Sequence, residues 1–228
     1  DNKKTAFVDQ LVSQMTLDEK VGQMTQVDKR MLDSEEDIAT YFLGSILSGG
    51  GSVPDDNTTK GWVNMVNRYQ TQALSTRLKI PLIYGIDAVH GHSNVVGATI
   101  FPQNIGLGCA NDPELIYKIN QATAVEVAAT GLHWTFSPCI TVPKDDRWGR
   151  QYEGFSESTS LVTRLTHAAI TGYEDKLAKV NGRKIAACAK HFIGDGGTSW
   201  ETGTLQAVSY THLRAHETDS YLVCRLLL

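Results

Sequence analysis

Acidic and basic side chains that could bind a polar ligand follow two short apolar segments of the chain. Asp87 comes directly after Pro81–Ile86, and the pair Lys190 and His191 comes directly after Lys184–Ala189. Runs of this length and composition are typical of buried strands. In α/β proteins, ligands bind at the carboxyl ends of parallel strands. The spacing therefore predicts that a carboxylate, an ammonium group and an imidazole meet at one ligand site.

A third polar group follows a third apolar segment, His133–Cys139. Its members are Asp145, Asp146, Arg147, Trp148, Arg150 and Glu153. A further acid, Asp195, follows the last predicted strand. Sugar hydroxyls need several fixed donors and acceptors. Arginine and lysine donate, aspartate accepts, and an indole such as Trp148 can stack on a sugar ring. The combined set therefore suits a polyhydroxylated ligand.

Each of these residues also has a structural interpretation. Asp87 could serve only to cap the end of a strand. Arg147, Arg150 and Glu153 could form a structural ion-pair cluster, and Trp148 alone is more often a core residue than a binding residue. The residue types and spacing leave these alternatives open.

A metal-dependent hydrolase is the main competing hypothesis. His90 and His92 form a His-x-His pair after a strand, a spacing found in barrel enzymes with divalent metals, and Lys190 and His191 could complete such a site. However, the two histidines lie three and five residues beyond Asp87, inside a loop, and no carboxylate-rich strand end is visible to complete the coordination. The sequence therefore favours a sugar site without a metal.

The elements that must position these side chains alternate between helix and strand. Helices are predicted at Thr5–Met15, after Thr16, at Asn57–Leu78, from Asn111 or Asp112 to about Ala129, and at Ser156–Tyr173. Strands are predicted at Gly44–Leu47, Pro81–Ile86, His133–Cys139 and Lys184–Ala189, with Gly44–Leu47 the first. A long connection is predicted at Ala88–Gly108. This alternation indicates an α/β fold with a parallel sheet and helical crossovers.

Composition excludes several classes of function. The 228 residues are 41% hydrophobic and 20% charged, as in ordinary globular proteins, and the net charge of −4 gives no reason to expect nucleic acid or an anionic membrane as partner. No apolar run approaches the roughly 20 residues needed to span a bilayer. No initiator methionine or signal-peptide pattern is visible, so we expect Asp1 to begin a processed or partial sequence.

The cysteines indicate no disulfide framework. The four of them, which show no CxxC spacing, are Cys109, Cys139, Cys188 and Cys224. Cys139 and Cys188 lie in or beside strand-like runs, so they are expected to be buried free thiols.

The segment Val208–Leu228 does not resemble natural protein sequence. Its two parts, Val208–Thr218 and Leu222–Leu228, resemble the translated halves of a transposase-type sequencing adapter, with Asp219–Tyr221 where a barcode would lie. We therefore predict a native domain over residues 1–207 and a non-native tail over 208–228, and exclude the tail from fold reasoning.

Six segments, in order, resemble the N-terminal barrel domain of glycoside hydrolase family 3, the β-glucosidases and exo-β-glucanases. They are Met15–Met24, Tyr84–Gly91, Ala98–Pro102, Phe136–Cys139, Arg147–Glu153 and Lys190–Thr198. The resemblance implies a (β/α)8 TIM-type barrel of which only the first half is present, because a complete barrel has eight strands and about 250 residues.

The resemblance also implies a set of site residues. Asp87, Arg150, Lys190 and His191 would line the subsite for the terminal non-reducing glucose of a β-glucoside or β-glucan. His90 and His92 would support a loop rather than bind metal, and no cofactor is implied. The family also suggests a periplasmic or secreted location.

No catalytic pair is found in this sequence. The family's retaining mechanism needs a nucleophile and an acid/base, two carboxyl groups about 5–5.5 Å apart. The strand-end motif of the Ile-Ser-Asp-Trp kind that carries the family's nucleophile is not found before Leu228, nor is the Asp-Ser-His loop of the hexosaminidase branch. We therefore expect no turnover. Because half a barrel leaves an unpaired strand edge, we also expect a marginally stable, aggregation-prone chain. A xylosidase, an N-acetylhexosaminidase and a pure binding module remain alternatives.

Overall fold

A parallel sheet flanked by helices makes up most of the computed structural model, which describes residues 2–191, 194–197, 199–201 and 204–206. The helices are α1 (Asn2–Gln14), α2 (Leu17–Gln23), α3 (Asp37–Thr40), α4 (Thr59–Ser75), α5 (Asn104–Ala110), α6 (Pro113–Ala129) and α7 (Thr159–Tyr173). The strands are β1 (Gln26–Asp28), β2 (Ser45–Ser48), β3 (Ile83–Ile86), β4 (Trp134–Thr135), β5 (Ser199–Glu201) and β6 (Thr204–Gln206). Single 3-10 turns lie at Lys29–Met31, Gln151–Glu153 and Asp195–Gly197. The predicted tail, Val208–Leu228, lies outside the described residues.

The main sheet has the order β1-β2-β3-β4, and all neighbours are parallel. A further segment that ends at Lys190 lies beside β4. There the amide of Ala186 donates to His133 O at 2.9 Å, and the amide of Lys190 donates to Pro138 O at 3.0 Å. Parallel bridges join Trp134 to Ala186 and Cys139 to Lys190. The predicted strand Lys184–Ala189 is therefore in the expected place, as a bridged extended segment. β5 and β6 form a separate antiparallel pair.

Two elements differ from the sequence-based expectation. Gly44–Leu47 is not the first strand, because β1 precedes it and pairs with β2. β1 was missed since Val27 is its one apolar residue and Asp28 caps the next turn, accepting from the Arg30 amide at 2.9 Å. Helix α5 occupies the end of the predicted connection Ala88–Gly108. Its two glycines weaken the helical signal.

The helix ends follow the predicted signals. Thr16 and Glu19 form a reciprocal capping box at the start of α2, with hydrogen bonds of 3.2 and 2.8 Å. Asp112 caps α6, with Pro113 at the first helical position. Gly131 follows that helix with φ +83°, a conformation that a residue without a Cβ adopts readily.

Two buried apolar clusters hold the helices to one another and to the sheet. The first packs α4 and the carboxyl half of α6 against β2 and β3, and it includes Trp62, Ile46, Tyr84 and Val127. The second joins α5, α7 and the amino half of α6, through residues such as Ile116, Leu107 and Leu165. Helix α6 therefore belongs to both clusters. Leu74 of α4 belongs to neither cluster and is 44% exposed.

No helix of the described part is long and apolar enough to cross a membrane. Several large apolar side chains are nevertheless exposed at the surface. Leu17 and Met24 of the α2 region are 75% and 80% exposed. Of the cysteines within the described residues, Cys139 is buried, Cys188 is partly buried and Cys109 is exposed, and all three are free thiols. The burial prediction is confirmed for Cys139 and only partly for Cys188.

Candidate functional site

The first part of the site is an ion pair between neighbouring strand ends. Asp87 directly follows β3, and Lys190 ends the extended segment beside β4. Lys190 Nζ donates to Asp87 Oδ1 at 2.8 Å. The Lys190 side chain is 15% exposed, whereas Asp87 is 41% exposed. The carboxylate is therefore held by a largely buried cation and keeps one side open to solvent.

The second part joins Arg150 to His191, the residue after Lys190. Arg150 Nη2 lies 3.1 Å from His191 Nε2. Because Lys190 and His191 are adjacent, the two contacts bring Asp87, Lys190, His191 and Arg150 together. These are the four residues that the family resemblance implies for a sugar subsite, and their ligand contacts stay a prediction.

Glu153 anchors Arg150 from the other side. Arg150 Nε and Nη2 donate to the two carboxylate oxygens of Glu153, each at 2.7 Å. Partial burial opposes ionisation of Glu153, but the hydrogen bonds and charge of Arg150, together with smaller effects of Cys139 and Lys190, lower the pKa of the carboxyl. The buried Cys139 thiol donates to Glu153 at 3.4 Å, and burial raises the pKa of Cys139 to about 12. Cys139 is therefore a neutral thiol beneath the site.

His191 is held in its neutral form by its surroundings. Partial burial lowers the pKa of His191, and the cationic Arg150 and Lys190 lower it further, against the opposing effects of Asp195 and Glu153. Nδ1 of His191 lies 3.1 Å from Oδ2 of Asp195.

The Asp195 loop is held close to the segment that follows β4. Lys144 N donates to Gly196 O at 3.0 Å, and a Cβ at Gly196 would lie 2.5 Å from Val142 O. Only glycine permits this approach. The packing fixes the loop that places Asp195 beside His191.

The remaining members of the predicted polar set lie apart from this centre. Arg147 forms its own ion pair with Asp145, and its hydrogen bonds lower the pKa of Asp145 to about 2. Arg147 and Arg150 are therefore in two separate pairs, not one cluster. Trp148 is only 9% exposed, which fits the core role better than stacking on a sugar. Asp146 is exposed.

The two histidines of the metal hypothesis support the loop after β3. His90 Nδ1 donates to Phe101 O at 2.8 Å, so its Nε2 accepts from Gln103 Nε2 at 3.0 Å. His92 is fully buried, with Nε2 3.0 Å from Thr130 Oγ1. Among the described residues, no group of three His, Cys, Asp or Glu side chains is arranged to hold a metal ion.

Two positioning side chains were missed by sequence reasoning. Tyr173 at the end of α7 donates from its hydroxyl to Ala88 O at 2.9 Å, and Asn94 Nδ2 donates to Asp87 O at 3.2 Å. Both fix the backbone that carries Asp87. Tyr173 carried only the signal of an apolar helix face, and Asn94 carried no signal at all.

Comparison with known proteins agrees with this geometry. The model of the glycosyl hydrolase family 3 N-terminal domain matches residues 16–221. The chain belongs to glycosyl hydrolase family 3. The fold class is accordingly confirmed as part of a TIM-type α/β barrel. The match extends into Val208–Tyr221, so the adapter origin of the tail stays a prediction.

Several relatives resemble the chain over most of its length. It is 34% identical over 213 residues to a lysosomal β-glucosidase of Dictyostelium discoideum, covering 84% of this chain and 26% of the relative. An exo-1,3/1,4-β-glucanase structure from a Pseudoalteromonas species has a TM-score of 0.81 and 43% identity, covering 89% and 26%. A Listeria innocua β-glucosidase in complex with glucose has a TM-score of 0.67 and 32% identity, covering 85% and 27%. The chain thus spans about a quarter of the length of these family 3 relatives.

Proposed function

We propose that this chain supplies the glucose-binding wall of a retaining β-glucosidase or exo-β-glucanase. The observation that carries the proposal is the convergence of Asp87, Lys190, Arg150 and His191 at the carboxyl ends of neighbouring strands. The names of the family 3 relatives, and the glucose complex of one of them, support the choice of sugar.

The chemistry of the four side chains matches a sugar with several hydroxyl groups. Asp87 can accept hydrogen bonds from two neighbouring hydroxyls, while Lys190 and Arg150 can only donate. Because the ion pairs preorganise these groups, little side-chain entropy remains to be lost on binding. The parent activity would be hydrolysis of terminal non-reducing β-D-glucosyl residues, with nucleophile and acid/base supplied outside this set.

The test is titration of glucose into the purified ¹⁵N-labelled full chain, followed by NMR. We expect saturable shifts of amide signals at Asp87 and His191. Asp87→Asn should weaken binding about ten-fold or more, because a charge-assisted hydrogen bond is lost. Asp146→Asn is the matched control, since it makes the same substitution at an exposed carboxylate of the polar loop that is not one of the four residues. Glucose that gives no saturable signal would overturn the proposal.

Xylose distinguishes the main alternative. It lacks the hydroxymethyl group of glucose, so equal binding of both sugars would favour a β-xylosidase of the same family. We expect tighter binding of glucose.

A further inference from the structure

A row of four neighbouring side chains runs through the candidate sugar site. Its order is Glu153, Arg150, His191 and Asp195. Hydrogen bonds join Glu153 to Arg150 and Arg150 to His191, and His191 Nδ1 lies 3.1 Å from Asp195 Oδ2. An anionic member lies at each end of the row, with the cationic Arg150 and the neutral His191 between them. Within the proposed function, Arg150 and His191 face the sugar, whereas Glu153 lies behind Arg150 with 16% of its side chain exposed.

The donors and acceptors in this row determine one tautomer of His191. A guanidinium has only N–H donors, so the contact of 3.1 Å from Arg150 Nη2 requires an unprotonated Nε2 on His191. The ring proton must then be on Nδ1, which lies 3.1 Å from the Asp195 carboxylate. A proton on Nε2 would direct two donors at each other. The imidazole is therefore oriented by a donor on one side and a carboxylate on the other.

Glu153 fixes the other end of the row. It engages both Nε and Nη2 of Arg150, the two-bond geometry that carboxylates and arginine prefer. The same Nη2 then donates to His191. These contacts use Nε and Nη2, so the Nη1 amino group of Arg150 is left on the side away from Glu153. There it can donate a hydrogen bond to a sugar hydroxyl. No other described side chain forms an ion pair with Arg150.

We propose that Glu153 is a positioning residue that holds Arg150 and, through it, keeps His191 as the Nδ1–H tautomer with Nε2 as an acceptor. This inference rests on the proposed function for its use in sugar binding. It deepens that function by assigning the acceptor in the site to His191 Nε2 and the donor to Arg150 Nη1.

The test reads the tautomer directly and needs no sugar. Long-range ¹H–¹⁵N correlation spectra of the ¹⁵N-histidine-labelled full chain near neutral pH distinguish a protonated from an unprotonated ring nitrogen. His191→Gln assigns the signals. We expect protonated Nδ1 and unprotonated Nε2 in the unsubstituted chain. In Glu153→Gln, the amide NH2 would oppose one of the two Arg150 donors, Nε or Nη2, and displace the guanidinium, so we expect His191 to change to mostly the Nε2–H tautomer.

Two further variants keep the result interpretable. Glu157→Gln is the matched control, because this exposed residue carries the same substitution on the same segment, and its His191 spectrum should be unchanged. Arg150→Met removes the donor to Nε2 altogether and should change the tautomer as Glu153→Gln does, which covers the case in which Glu153→Gln fails to fold.

Each outcome has one meaning. An Nε2–H or doubly protonated His191 in the unsubstituted chain would overturn the inference, as would an unchanged tautomer in a folded Glu153→Gln or Arg150→Met chain. Glucose titration is a separate measurement, in which we expect about ten-fold weaker binding by Glu153→Gln. The expected tautomers without any glucose binding would refute the proposed function and leave the positioning role of Glu153 supported.

Discussion

Lowering the pH should destabilise the chain through His92. This side chain is fully buried, and its Nε2 lies 3.0 Å from Thr130 Oγ1. That hydroxyl already donates to Val127 O at 2.7 Å, so it accepts the Nε2 proton of a neutral imidazole. Nδ1 has no hydrogen-bond partner among the described residues. A second proton would therefore charge a ring that has no anion beside it.

The magnitude follows from the two pKa values of His92. Burial lowers the pKa of His92 from 6.5 to about 4. Between these values the unfolded chain binds a proton that the folded chain does not, so stability decreases as the pH falls. At 1.36 kcal/mol for each pKa unit, the loss is about 3 kcal/mol between pH 7 and pH 4. Below about pH 4 both states are protonated, and the contribution of His92 stays constant.

Urea denaturation followed by tryptophan fluorescence measures this loss across the pH range. His92→Gln removes the titrating group. Between pH 7 and pH 4, the unfolding free energy of this variant should therefore fall by about 3 kcal/mol less than that of the unsubstituted chain. His167→Gln, which alters an exposed histidine on α7, should retain the full dependence. Parallel curves for His92→Gln and the unsubstituted chain would refute the reasoning, as would an NMR titration midpoint of His92 near 6.5.

Three further results are expected. Gly108→Ala should destabilise the chain by about 2 kcal/mol in urea denaturation, because a Cβ there would lie 1.7 Å from Phe155 O, whereas Gly106→Ala in the same helix meets nothing closer than 3.5 Å and should be neutral or stabilising. A greater loss of unfolding free energy in Gly106→Ala than in Gly108→Ala would contradict this account. Thr16→Ala should cost about 1 kcal/mol by removing the cap on the Glu19 amide, and an unchanged melting temperature would count against it. We expect no hydrolysis of an aryl β-glucoside by the purified chain, and turnover above a buffer control would contradict the placement of the catalytic pair outside it.

Long periodic elements could be predicted from the sequence because one apolar face is repeated over many residues. Helix α6 begins after Asp112 and ends before Gly131, as the cap residues indicate. β1 could not be predicted in the same way, since a three-residue strand with one apolar side chain has no repeat. The tertiary pairing with β2 determines its conformation, not local preference.

Asp87, Lys190 and His191 could be predicted because strand ends in a parallel sheet meet at one edge, whereas Arg150 was distinguished from Arg147 only by the family resemblance. Their pairing could not be predicted from residue types. Lys190 could have paired with any nearby acid, and Arg147 and Arg150 looked equivalent in the sequence. The structure separates them, because Arg147 folds back onto Asp145 while Arg150 reaches Glu153 and His191. Which acid each arginine pairs with depends on the backbone conformation of the loop that carries both of them.

Helix α6 has a consequence for how the molecule unfolds. Its amino half contributes Ile116 to one apolar cluster and its carboxyl half contributes Val127 to the other. Neither cluster can unfold completely without disrupting one half of helix α6. Amide exchange along α6 therefore reports the cooperativity of the whole domain: equal rates in both halves indicate a single unfolding unit, and a step near the middle of the helix marks a boundary between two.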